Sequence, residues 1–278
     1  MEEPLSRLSD GDILFLIETV EPRLEGKLDA IKSDPTIVEA MLDHETGRLF
    51  ERIMLMGDEA ILARISPRLL FEVLLREALR QLESQSYTVE RTASQRIAVF
   101  DTKDVVEFLT ERRMLDYLAD MLVSFTRVES FTVPVRVRKG VWRKVRFSDM
   151  DVDSLVSLCE AADEGQRFGY YKRIADLCLF ILGMFPEYAG LDPDCSPEGE
   201  ARPALTRRLR RSAADFEEEG RRFYRLAGED RGARMLDLTG VLWRLHHEFH
   251  LAKKPLNYIS DNFLQFKKQQ LFPSRQSQ

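Results

Sequence analysis

Three of the four histidines in this chain, His246, His247 and His250, fall within one short stretch, Trp-Arg-Leu-His-His-Glu-Phe-His, residues 243–250. On a continuous helix His246 and His250 stand four residues apart, so their rings project from successive turns, a geometry that suits a divalent metal. A zinc protease helix needs His-Glu-x-x-His, and here Glu248 stands in the wrong place. A di-iron bundle needs Glu three residues before His on two helices, and no histidine here has that neighbour. At about 100° per residue, Met235, Leu238, Leu242, Leu245 and Phe249 form an apolar stripe. His246 and His250 lie on its shoulder beside Trp243, with His247 pointing further out. The spacing therefore favours the wet rim of a packed helix and leaves His246 and His250 as weak metal candidates that lack a third ligand.

The second constellation is basic. Between Phe131 and Phe147 stand Arg136, Arg138, Lys139, Arg143, Lys144 and Arg146, with no acid among them. Valines alternate with these cations on both sides of Lys139-Gly140, so the stretch predicts a β-hairpin over about 131–147, with Pro134 marking an edge strand. Such a ribbon can lie along a phosphate backbone. The element order helix, strand, helix, helix, hairpin over 66–147 is also that of a winged helix. Against that reading, the would-be recognition helix Arg-Met-Leu-Asp-Tyr-Leu-Ala-Asp presents Asp116 and Asp120, where base contacts need Arg, Asn or Gln. Cations on an edge strand also serve simply to prevent aggregation.

The elements that must carry these residues are mostly helical. Ser9 or Asp10 opens one helix and Pro22 another, while Asp34-Pro35 and Ser66-Pro67 are paired start signals. Asp101 is expected to cap Thr-Lys-Asp-Val-Val-Glu-Phe-Leu, after a short strand near 95–100. Further helices are expected over about 204–228, 233–252 and 256–268, beyond a Pro- and Gly-rich linker at 186–203. The fold class is mainly α, a multi-helix bundle with one β-hairpin. The expected organisation is an N-terminal helical region with the hairpin (1–150), a C-terminal bundle (151–270) and a flexible tail (271–278).

Composition excludes several classes. The chain has 278 residues, 44% hydrophobic and 32% charged, with a net charge of −6. That is a globular composition without global attraction to nucleic acid or membrane. Cys159, Cys178 and Cys195 form neither a disulfide framework nor a zinc pair, which suits a reducing compartment. The acidic N-terminus is unlike a signal peptide, and the longest apolar run, 177–185, is half a membrane span. No Gly-rich phosphate loop or nucleophile elbow occurs. A cytoplasmic location is expected.

The stretches Arg-Arg-Met-Leu-Asp-Tyr-Leu-Ala-Asp-Met-Leu-Val-Ser-Phe, Tyr-Tyr-Lys-Arg-Ile-Ala-Asp-Leu-Cys-Leu-Phe-Ile-Leu-Gly-Met-Phe-Pro-Glu-Tyr and Glu-Glu-Glu-Gly-Arg-Arg-Phe-Tyr-Arg-Leu-Ala-Gly-Glu resemble consecutive blocks of a family of bacterial helical proteins without an assigned activity. That family carries a Leu-x-Phe-x-x-Gly-x-Phe-Pro segment followed by a Gly-x-x-x-Tyr helix. Phe180, Gly183, Phe185, Pro186, Gly220 and Tyr224 match those motifs here. The resemblance spans roughly 112–228 and implies a bacterial helical fold, with no catalytic residues. The basic hairpin departs from the family pattern.

By elimination the expected function is non-catalytic: a binding or regulatory protein that works through protein–protein contacts and needs no cofactor. Nucleic-acid binding through the hairpin is the first alternative. A metal-dependent enzyme centred on His246 and His250 is the second.

Overall fold

Ser9, Asp34 and Ser66 each place a side-chain oxygen on the first free backbone N–H groups of a helix, as their sequence signals require. The computed structural model in which this is seen describes residues 8–57, 61, 63–91, 96–127, 130–138, 141–186, 211–265 and 268–272. In chain order the elements are α1 (Asp10–Val20), a 3₁₀ turn (Pro22–Lys27), α2 (Leu28–Lys32), α3 (Pro35–His44), α4 (Thr46–Leu55) and α5 (Pro67–Glu83). Then come β1 (Thr88–Arg91), β2 (Arg96–Val99), α6 (Thr102–Thr110), α7 (Arg112–Ser124), β3 (Ser130–Arg138) and β4 (Val141–Ser148). The rest is α8 (Val152–Ala161), α9 (Arg167–Met184), α10 (Ala213–Glu229), α11 (Arg231–Met235), α12 (Thr239–His247), α13 (Phe249–Asn262) and α14 (Lys268–Leu271).

The chain is mainly α, as expected, and β3–β4 is the hairpin expected from the alternating valines. Its turn residues, Lys139 and Gly140, lie outside the described residues, as do the expected linker from 187 onward and the expected helical residues 204–210. The strand expected near 95–100 is β2. It pairs with β1, a strand that the polar sequence around it concealed, and not with β3 or β4. Among the described residues of 66–147 the strands therefore form two separate two-stranded sheets, not the three-stranded sheet of a winged helix.

One apolar core runs through the expected N- and C-terminal regions alike. Phe125 stacks on Phe180 at 4.2 Å, and Phe272 closes on Phe180 at 4.9 Å and on Phe71 at 5.7 Å. Leu271 and Phe272 are buried, so the chain is anchored past the point where the tail was expected to begin.

Helix α5 is packed on all sides and buries Arg68, Glu72 and Arg76 along with its apolar residues. These charges are matched from neighbouring helices. Glu72 receives Arg68 at 3.2 Å, Arg76 at 3.0 Å and Arg112 at 2.8 Å. Arg76 continues to Glu39 and Asp43, and Arg68 reaches Asp116 at 2.8 Å and Asp120 at 3.1 Å. A lone buried charge would be strongly destabilising, so these residues hold α3, α5 and α7 in one register. Asp116 was expected to face solvent. It is instead partly buried and paired with Arg68 and Arg112.

Helix α9 is the apolar centre. Asp176 lies in its middle, 1% exposed, and accepts hydrogen bonds from Tyr117 at 2.6 Å and Tyr224 at 2.9 Å, with Lys172 at 2.6 Å on its other oxygen. The C-terminal carbonyls of α9 are satisfied from α13 and α14. Asn257 donates to Leu182 and Gly183, and Ser260 and Lys268 both donate to Met184. A lysine there also suits the negative end of the helix dipole. α13 continues through Pro255, where the sequence suggested a break: Lys253 and Lys254 tie the turn before it to Glu217 and Asp101, and Asn257 and Ser260 tie the turn after it to α9.

Two helix–helix approaches require glycine. A Cβ on Gly220 would meet the Phe249 ring at 2.5 Å, and one on Gly183 would meet Leu256 at 2.6 Å. Gly220→Ala is expected to cost about 1–3 kcal/mol through overpacking, measured by chemical denaturation.

A second expectation concerns high pH. Burial, reinforced by the Asp176 charge, pushes the Tyr117 and Tyr224 hydroxyls well above the usual tyrosine range. Unfolded tyrosine ionises near pH 10, so above that the unfolded state holds fewer protons than the native state. This stabilisation is complete below about pH 10 and is lost as pH rises beyond it. Tyr224→Phe should flatten that alkaline decline in a series of thermal melts.

Candidate functional site

The histidine stretch is divided by the fold. α12 ends at His247, Glu248 turns the chain, and α13 begins at Phe249, so His246 and His250 belong to different helices. The Glu248 N–H closes α12 by donating to the Arg244 carbonyl at 2.8 Å. Upstream, the expected helix over 233–252 is also interrupted at Asp237, whose φ of 53° is left-handed. His246 Nδ1 lies 2.8 Å from the Arg221 carbonyl, which can only accept, so that nitrogen carries the proton. Arg221 returns a hydrogen bond to the His246 carbonyl at 3.0 Å. His247 stacks on Trp243, and His250 is exposed. Among the described residues, no group of three His, Cys, Asp or Glu side chains is placed to hold a metal.

The basic residues fare differently. The β3–β4 register sets Phe131 opposite Phe147 and Val133 opposite Val145, while Thr132, Pro134 and Arg136 face Arg146, Lys144 and Trp142. Of the other expected contact residues, Arg143 pairs with Val135 and Arg138 with Val141 beyond a bulge. Among the described elements, only α8 packs on this ribbon to more than a marginal extent, and it does so at the root of β4. The hairpin is therefore an arm. The proposed recognition helix offers no second contact, since α7 buries Met114, Leu115, Tyr117, Leu118, Met121 and Leu122 and commits Asp116 and Asp120 to Arg68.

At the root of the arm lies a cleft of about 870 Å³. Thr126 and Arg127 line it from the bend that leads from α7 towards the arm, and Asp149 from the turn that follows β4. Pro67, Val123, Leu155 and Tyr170 supply an apolar wall. Arg173 organises the site. It donates to Ser124 at 2.8 Å and to Asp149 at 2.6 Å, while its guanidinium lies 3.9 Å from the centre of the Phe125 ring. That clamp ties the arm to the aromatic core. Arg127 is exposed and makes no ion pair among the described residues. Gly169, within α9, also lines the cleft, and a Cβ there would meet nothing within 4 Å. Glycine at a helical position costs about 1 kcal/mol relative to alanine. Unlike Gly183 and Gly220, no neighbour accounts for it, and its effect is to leave the cleft open.

Nothing in the sequence marked Arg127, Gly169, Tyr170 or Arg173. The stretch that holds Gly169 and Tyr170, Phe-Gly-Tyr-Tyr, reads as core, and Tyr171 does pack on Phe223. Tyr170 turns to the cleft instead.

A second cavity, of about 790 Å³, lies between the β1–β2 hairpin and α13. Lys254 is buried at its wall, paired with Asp101 and with Glu90 at 3.3 Å, and 3.1 Å from Thr88. Asp101 was expected to cap α6. Its carboxylate instead binds Lys254 and Thr88, and its side chain caps nothing. Tyr87, Val89, Ile97 and Phe100 on this hairpin are exposed.

Comparison with known protein families, curated proteins and solved structures returned no match. No helix among the described residues is long and apolar enough to cross a membrane.

Dialysis against a chelator is expected to leave the melting temperature unchanged, as is His250→Ala. A stoichiometric transition metal whose loss lowers that temperature, in the untagged protein, would restore the histidines as a site.

Proposed function

We propose that the protein is a non-catalytic binding or regulatory module of the cytoplasm whose partners are other proteins, engaged by the β3–β4 arm and the cleft at its root. The observation that carries this reading is the arm itself, a two-stranded ribbon of basic sequence that leaves a helical body and is fixed at its root by the Arg173 clamp. The exposed apolar residues of the β1–β2 hairpin support it, because clustered apolar exposure on a globular surface accompanies protein contact.

Nucleic acid is the second reading, favoured by six cations in one ribbon without an acid. The packing of α7 leaves the arm to do all of that work. Six cations contact about six phosphates at most, which limits the log–log salt slope on duplex DNA to about −5.

A photo-crosslinking amino acid in place of Lys144 separates the two readings in cells. Adducts that resist nuclease and disappear with protease are expected; adducts removed by nuclease overturn the proposal. In a titration with labelled duplex at physiological salt, binding should be no tighter than about micromolar. Tight binding that Arg136→Glu/Arg138→Glu/Arg143→Glu abolishes, with the fold intact, would favour nucleic acid.

A further inference from the structure

We infer that the cleft at the root of the arm receives an acidic segment of the partner protein that carries apolar side chains. The inference rests on the protein-binding reading above and adds the chemistry of the bound segment.

Charge complementarity points to it. The chain as a whole is acidic at −6, yet the arm holds six cations and no acid, so the arm attracts anions locally against the charge of the whole. Arg127 stands where the arm meets the cleft, exposed and outside the ion pairs of the body. A carboxylate guided along the arm reaches Arg127 first. Arg173 lies behind it, held flat against Phe125 and already matched by Asp149, so it shapes the wall without presenting a bare charge. The remaining wall, Val123, Leu155 and Tyr170, is apolar and suits an aliphatic or aromatic side chain. A phosphate backbone satisfies the cations but has nothing to place against that wall. Alternating acidic and apolar side chains satisfy both.

Gly169 supplies a test that changes no charge. A Cβ there meets nothing within 4 Å, so Gly169→Trp can be accepted at the backbone, adds bulk to a residue that lines the cleft, and does not weaken helix α9. The probe is a fluorescein-labelled peptide of repeated Glu-Glu-Leu, titrated into the full chain by anisotropy, beside Gln-Gln-Leu and Glu-Glu-Gly versions. The Glu-Glu-Leu peptide is expected to bind at least about tenfold tighter than either, and Gly169→Trp and Arg127→Glu should each weaken it about tenfold, or about 1.4 kcal/mol. If Gly169→Trp lowers the melting temperature, Gly169→Leu replaces it. Equal binding of the Glu-Glu-Gly peptide, or undiminished binding by the position-169 variant, overturns the inference. So does displacement of the peptide from the cleft by duplex DNA at submicromolar concentration. Protein adducts at position 144 alongside cleft-independent peptide binding would remove the cleft and keep the protein-binding reading. Nuclease-sensitive adducts would remove that reading itself.

Discussion

A carboxylate at the centre of an apolar helix is the constraint around which this molecule is built. Asp176 has almost no contact with water, and a buried charge is tolerated only when its lone pairs are occupied. Tyr117 from α7, Tyr224 from α10 and Lys172 from the preceding turn of α9 occupy them. Three helices far apart in sequence are thereby fixed at one point. Lys172 also lies 4.8 Å from the centre of the Tyr117 ring, so the same group that neutralises the acid covers one of its donors. Each member of the set is needed to make the others tolerable in the interior.

From that point the packing follows in both directions along α9. Towards its C-terminus the helix narrows at Gly183 to admit Leu256, and its last carbonyls are capped by Asn257, Ser260 and Lys268. Alongside, Gly220 admits Phe249 and the Cys178 side chain, which brings α10 close enough for Tyr224 to reach Asp176. Gly183, Gly220 and Tyr224, which looked like signature residues in the sequence, are therefore the fittings of one helix junction. Their chemistry is spent on packing.

What was legible in the sequence follows the range of the interaction concerned. Ser9, Asp34 and Ser66 act within three residues of themselves, and all three cap as expected. The valine alternation of β3–β4 is equally local. Asp101 failed as a cap because Lys254, distant in sequence, claimed its carboxylate. The continuous helix expected to carry His246 and His250 together is divided because periodicity cannot register the chain turning at Glu248. β1 was missed because Thr-Val-Glu-Arg is a strand only by virtue of its partner. The cleft was invisible for the same reason. Arg127, Asp149 and Arg173 come from three separate segments, and none of them carries a pattern of its own.

The pairing of charges in the body also bears on where the molecule can act. Glu39, Asp43, Glu72, Asp116 and Asp120 are met by Arg68, Arg76 and Arg112, so the charges nearest the would-be recognition helix are already paired within the body. The cations of the arm have no acid within their own stretch. Yet the arm is not isolated from the interior. Asp149, one residue past β4, binds Arg173, Arg173 lies on Phe125, and Phe125 stacks on Phe180 in the middle of the core. A contact at the root of the arm therefore presses on a rigid aromatic column. Interiors packed to crystal density transmit such a load with little relaxation. On the proposed protein-binding reading, that anchorage sets the arm's root against the body, which a loosely tethered basic segment would not do.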